Sequence, residues 1–345
     1  VGGIIRLLYH YDRPFVGDEV GTILYMERSI PYLLSHFESW LTMNYFIILE
    51  KMVAVLTSDP DFALSIIPLV AAIAAIPLTA FLAHWVTSTR VSTIAATLVA
   101  MNPYLILFSG IIRAYSLLTA LSLAVTILFF KWFSTRTIRN GLYVSGVCFL
   151  LMLCHLNGAY TLAYIMFLTG ADWIARLRSH RQALLSTLII PLFASLLLAG
   201  IAYVGMLPDI LEWGTPWHDT PPTDISHIPY VFSQYFSSGY FGWPSMILLV
   251  TAVCVSIKRD MPLLILLPYL AITITLISIQ GISHFPWAYG RFMSFLVPIL
   301  IIVISEGIHY YASLLGTRSG MLGTAAVTLL LVSWLPNFGE LLQRK

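Results

Sequence analysis

The run FALSIIPLVAAIAAIPLTAFLAH, from Phe62 to His84, carries no Asp, Glu, Lys or Arg. About 20 such residues in a helix cross the ~30 Å hydrocarbon core of a bilayer, so this run reads as a membrane span. Asp59-Pro60-Asp61 stands just before it, and Asp59 or Asp61 is placed to cap its first turn. The same texture repeats along the chain. Further spans read at about residues 91–110, 114–133, 140–155, 157–174, 183–206, 240–257, 261–280, 291–311 and 320–336, each near crossing length once tilt is allowed for. Gly2–Tyr9 is too short to cross and is expected to be the remainder of an eleventh span.

The composition agrees. Of 345 residues 59% are hydrophobic and 10% charged, with mean hydropathy +0.86, whereas soluble domains carry about 25% charged residues. A water-soluble globule is excluded. A net charge of +2 without any basic run gives no reason to expect nucleic acid. Cys148, Cys154 and Cys254 lie in apolar stretches with no CxxC pairing, so they read as small buried hydrophobes. The expected fold is an all-α polytopic membrane protein, a bundle of about ten to eleven transmembrane helices. Residues 1–336 form its single domain, with an outer loop at 11–61 carrying surface helices, a second outer loop at 207–239 and a short tail at 337–345. In the first loop Met43, Phe46, Ile47, Glu50 and Lys51 alternate faces at helical spacing, which suits a helix lying on the membrane surface.

Every second connection is basic: Arg90; Lys131, Arg136 and Arg139; Arg176, Arg178 and Arg181; Lys258 and Arg259; Arg318. The positive-inside bias assigns these to the cytoplasm. The alternate connections hold Asp18-Glu19, Arg113, His155-Leu156-Asn157, the loop 207–239 and residues 281–291, and are expected to face outward. The long loop contains Asp209, Glu212, Asp219 and Asp224 and no Lys or Arg. A multi-pass protein of the plasma (inner) membrane follows, with any site made of these groups on the periplasmic side.

Asp18, Glu19, Arg113, Tyr115, His155, Asn157, His284 and Arg291 thus fall on one side. Each has an ordinary explanation. Eight acidic residues lie between Asp12 and Asp61, and a solvated loop carries them freely. A span-end arginine often snorkels to headgroups, and aromatics such as Tyr115 form interfacial belts. Collected on one face they suit a reaction on an anionic, lipid-borne substrate. Arginine binds phosphate through paired hydrogen bonds and keeps its charge in a poorly solvated place. A carboxylate within reach of a hydroxyl takes its proton as that hydroxyl attacks, and arginine stabilises a departing phosphate. No nucleotide-binding fingerprint is present, which fits a donor drawn from the bilayer.

Three stretches resemble the GT-C membrane glycosyltransferases, in particular the family-39-like group of protein O-mannosyltransferases and lipid A aminoarabinose transferases. They are Gly17-Asp18-Glu19; Asn102-Pro103 followed by Ile112-Arg113-Ala114-Tyr115-Ser116-Leu117-Leu118; and Tyr289-Gly290-Arg291-Phe292-Met293 leading to Leu296-Val297-Pro298. With the order of the spans the resemblance covers about residues 1–310. It implies a GT-C-like bundle that moves a sugar from a polyprenyl-phosphate donor to a glycan, lipid or protein hydroxyl, with inversion. It implies Asp18 as the base, Glu19 beside it shaping the acceptor site, and Arg113 with Arg291 at the phosphate. Tyr115, His155, Asn157 and His284 are the further substrate-binding candidates. The chain departs from the pattern at Ile111, where relatives often carry Glu, and at Ser39-Trp40-Leu41-Thr42, where they often carry His-Pro-Pro; only His36 stands nearby. Glu19, Glu27 or Glu38 is left to supply a second carboxylate. That weakens a metal-dependent reading; no cofactor is expected, with a divalent metal left open. The rival class is a transporter or lipid-linked-sugar flippase. Such proteins place ionisable groups near mid-membrane on broken helices, and here Glu306 is the expected exception to span interiors nearly free of charge.

Overall fold

The computed structural model describes residues 2–10, 18–37, 43–56, 60–175, 185–213, 242–279, 294–314 and 319–334, and these are helical with short connections and no strand. In chain order the α-helices are α1 Gly2–His10, α2 Asp18–Met26, α3 Ile30–Ser35, α4 Asn44–Ala54, α5 Pro60–Val86, α6 Thr89–Met101, α7 Pro103–Gly110, α8 Tyr115–Thr135, α9 Ile138–Cys154 and α10 Gly158–Ala175. A π turn, Leu185–Ile189, opens α11 Ile190–Ala202. Then come α12 Leu207–Trp213, α13 Gly242–Arg259, α14 Leu267–Ile279, α15 Val297–Leu314 and α16 Ser319–Ser333.

A helix occupies each of the ten expected spans. Among the described residues three helices are long and apolar enough to cross a membrane: Leu64–Val86, Tyr115–Thr135 and Ser294–Leu314. Two bent pairs raise that to five if each is one span. One is α6 with α7, at 52°; the other is Thr187–Ala202 with Val204–Glu212, at 46°. The chain is therefore a helical membrane protein, and ten to eleven crossings remain a proposal. Asp59 lies outside the described residues, as does the side chain of Asp61.

The described chain divides into two compact units. One holds Val1–Pro14, Pro68–Ile111 and Pro222–Lys345. Its central helix is α15, buried almost continuously from Val297 to Ile308 and packed on α6, α13 and α16. Helices apolar on every face are what a bundle centre needs. Gly307 lets α13 approach: a Cβ there would collide with the Leu248 carbonyl. Cys254, on α13, is exposed, against the expectation of burial, while Cys148 and Cys154 are buried.

The other unit holds Phe15–Ile67 and Ile112–Pro221. Helices α8 and α9 form a hairpin whose turn residue Arg136 is left-handed, φ 53°. Its guanidinium stacks over Trp132 and Phe133 and binds Asp172 of α10 with two parallel bonds of 2.9 and 3.0 Å. Helices α2, α3 and α4 are short and tied by side chains. Ser29 caps α3, and the Asn44 amide donates to the carbonyls of Leu33 and His36. The Lys51 ammonium closes the end of α2 on the carbonyls of Met26 and Arg28. The Tyr45 hydroxyl donates to the Ala202 carbonyl. Glu50 departs from the expected polar face. It is buried with Phe46 and Ile47, and neither carboxylate oxygen has a hydrogen-bond partner among the described residues. Burial alone pushes its pKa up to about 9.

Candidate functional site

Between α7 and α8 the chain turns through Ile111-Ile112-Arg113-Ala114. Main-chain groups in a turn lack helical partners, so buried ones take them from elsewhere. Glu19, 1% exposed on α2, supplies one: its Oε1 accepts the Ile112 N–H at 2.9 Å. On the other flank the Cys154 thiol, at the end of α9, faces the Ala114 carbonyl at 3.8 Å. Arg113 lies buried in this clamped turn.

Helix α9 ends at His155, whose backbone N–H closes onto Leu151. Its Nδ1 accepts the Asn157 N–H at 3.0 Å and so fastens the turn into α10. A ring that accepts at Nδ1 carries its proton on Nε2. Burial, and then the neighbouring Arg113 cation, hold its pKa down at about 3, so the imidazole is neutral at physiological pH. It is a hydrogen-bond donor there and no acid. The Tyr115 ring lies beside it, centroids 5.7 Å apart. Glu19, Arg113, Tyr115, His155 and Asn157 are thus brought to neighbouring turns of one unit. Asp18 opens α2 next to Glu19, with its side chain undescribed. His284 and Arg291 lie outside the described residues.

The second expected outer loop begins against the first. The Asp209 carboxylate on α12 accepts the Phe37 N–H at 2.7 Å, just past α3. Phe37, Tyr203 and Met206 form an apolar cluster with Tyr45, Leu153, Leu156 and Ile210 packed on it. Segments assigned to one side by the charge of their loops are in contact. Among the described residues no three His, Cys, Asp or Glu side chains gather where they would hold a metal.

Three buried ionisable residues escaped the sequence reading: Glu50, Arg6 and Asp172. The first had a signal: Met43, Phe46 and Ile47 precede Glu50 by seven, four and three positions and place it on the apolar stripe. Arg6 was visible only as one cation inside an apolar run.

No protein-family model and no curated protein matches the sequence. Solved structures do match. The oligosaccharyltransferase of Archaeoglobus fulgidus in complex with Zn and sulfate aligns with a TM-score of 0.62 at 13% identity, over 99% of this chain and 52% of that one. The same organism's AglB in complex with an inhibitory peptide and a dolichol-phosphate aligns at 0.59 and 12%, over 99% and 54%. A form tethered to an acceptor peptide containing the NVT sequon aligns at 0.58 and 13%, over 99% and 54%. The chain spans about half the length of these proteins. Over nearly all of its own length it shares the fold of an archaeal oligosaccharyltransferase.

Proposed function

We propose that this chain is a GT-C-type glycosyltransferase, family-39-like, acting on the outer face of the membrane. It moves a hexose or pentose from a polyprenyl-phosphate donor to the hydroxyl of a glycan, lipid or protein acceptor. The observation that supports this most is the cluster of Glu19, Arg113, Tyr115 and His155 around one clamped turn, next to Asp18. A fold shared with a protein solved with dolichol-phosphate and with acceptor peptides adds to it.

In this proposal Asp18 takes the acceptor's proton, and the acceptor oxygen forms its bond to the anomeric carbon from the face opposite the phosphate. The bond from that carbon to the phosphate oxygen breaks, inverting the configuration, and the lipid phosphate leaves with the electron pair. Arg113 meets the charge that builds on it. His155, neutral and fixed as one tautomer, offers Nε2–H as a further donor to that phosphate or to the sugar. Glu19 serves by holding Ile112, and thereby Arg113, in place. Arg291, by resemblance, and His284, by its expected outward-facing position, are the remaining candidates for substrate binding. Mass spectrometry of outer-surface glycans from cells with and without the protein tests this. One sugar should be missing without it; unchanged glycans would overturn the proposal.

A further inference from the structure

Helix α3 carries a column of three side chains along one flank. Arg28 stands just before the cap Ser29, Tyr32 lies in the first turn and His36 closes the helix. They are four positions apart, the spacing that brings side chains on a helix together. The Arg28 guanidinium lies over the Tyr32 ring, 5.2 Å from its centroid. On the other side the His36 ring stacks on Tyr32 at 4.2 Å, within 4° of parallel. Arg28 and His36 are exposed, yet they lack the rotamer freedom of ordinary exposed side chains.

Helix α4, in the same compact unit, pins both ends of the column by the main chain. The Lys51 ammonium donates to the Arg28 carbonyl at 2.9 Å, and the Asn44 amide donates to the His36 carbonyl at 2.6 Å. The Ser35 hydroxyl oxygen lies 2.8 Å from His36 Nδ1 and fixes that edge of the ring. The outer polar groups are left over. Among the described residues nothing takes the Arg28 N–H groups, the Tyr32 hydroxyl or His36 Nε2, and no carboxylate pairs with Arg28. Glu27, its neighbour in the chain, is exposed and turned to no cation. Charge statistics make Arg28 conspicuous as well. Lysine and arginine are thinned out of outward-facing connections, and residues 11–61 carry only Arg13, Arg28 and Lys51. Lys51 is occupied by carbonyls, and Arg13 lies outside the described residues.

We infer that the column of Arg28, Tyr32 and His36 docks an acidic saccharide, a sugar chain bearing a carboxylate or phosphate, as the acceptor of the transfer. The paired N–H groups of Arg28 match either anion. The Tyr32 hydroxyl and His36 Nε2, further along the stack, meet sugar hydroxyls. The column is ordered before a ligand arrives, so binding loses little side-chain freedom. The other flank of α3 argues against a lipid headgroup. Ile30 and Leu34, 42% and 40% exposed, stand about half a turn round from the column. A bilayer beside α3 would take that apolar flank and leave the column to water. The acceptor role rests on the proposed transfer; the docking does not.

The test reads binding without transfer. The full chain in phosphatidylcholine nanodiscs is titrated calorimetrically with mannopentaose 6-phosphate, tetragalacturonate and neutral mannopentaose. Wild type should bind an acidic probe about tenfold more tightly than the neutral one, the worth of one charge-assisted contact. Arg28→Gln should abolish that preference. Tyr32→Phe keeps the ring but not the hydroxyl and should weaken acidic binding several-fold. Both variants should melt within a few degrees of wild type, and Glu27→Gln should bind no worse than wild type. No preference for the acidic probes, or wild-type affinity in both variants, would overturn the inference and leave the stack as a brace for α3. Displacement of the probe by an equal concentration of inorganic phosphate would overturn the saccharide. Greater retention of phosphatidylglycerol by wild type than by Arg28→Gln, in native mass spectrometry, would overturn it in favour of headgroups. Acidic binding lost in Arg28→Gln, beside a wild type that transfers no sugar from a polyprenyl-phosphate donor, would uphold the docking and fail the proposed function alone.

Discussion

Arg113, Glu19 and Glu50 show three ways in which a buried ionisable group is kept. Arg113 sits in a turn whose backbone is clamped, beside a neutral imidazole. Arg113→Lys should restore little of the transfer lost in Arg113→Ala, since a point charge cannot make paired bonds to phosphate. Full rescue by lysine, in a kcat/KM measurement with a lipid-linked donor, would reduce the arginine to a general charge. Glu19→Gln keeps an oxygen for Ile112 and should keep most activity. Glu19→Ala removes a charge-assisted bond of ~1.5–3 kcal/mol and should speed exchange at the Ile112 amide. Glu50 is a cost that the fold carries. Its folded pKa, about 9, lies above the ordinary 4.5, so between those values the folded chain holds a proton that the unfolded chain has released. Stability therefore falls as pH rises through that window, by at most ~1.4 kcal/mol per pH unit. Glu50→Gln should flatten that fall and raise the melting temperature more at pH 8 than at pH 5. An equal shift at both would mean that the carboxyl titrates normally.

At the scale of elements, short helices that cannot bury a face alone are fastened by side chains to main-chain groups. Asp209 is the clearest case, because it joins α12 to the end of α3 through one backbone N–H. Asp209→Ala should lower the melting temperature by several degrees and speed exchange at Phe37, both read on protein in detergent. An unchanged Phe37 would show that the apolar cluster around Tyr203 suffices. This level also marks what the sequence displays. Apolar runs of crossing length located a helix in every expected span, because composition alone sets that signal. The break at Asn102 was written there too, as the proline at position 103, yet hydropathy averages across it. The Glu19 to Ile112 bond is different: its acceptor and donor stand 93 positions apart, and the donor is a main-chain group. No pattern of residue types announces such a pair. Arg113, Tyr115, His155 and Asn157 were assigned to one side by the charge of the loops, a signal that reports sidedness and says nothing of contact.

For the whole molecule, the proposal requires that Asp18 and the loop 207–239 lie outside and that Arg136, Arg178 and Lys258 lie in the cytoplasm. In a chain whose three native cysteines are replaced by alanine, Ser226→Cys should react with an impermeant maleimide on intact cells and Ser179→Cys should not. Equal labelling or the reverse would remove the outer site. The central claim is that a carboxylate on α2 takes the acceptor's proton while a sugar leaves its lipid phosphate. The direct measurement is sugar transfer from purified polyprenyl-phosphate donors by wild type, Asp18→Asn and Glu19→Gln side by side. Asparagine keeps the size of Asp18 but cannot accept the proton. Turnover should fall by the ~10²–10⁴-fold typical of lost acid–base assistance, with donor binding little changed and Glu19→Gln milder. Near-wild-type transfer by Asp18→Asn would contradict the account.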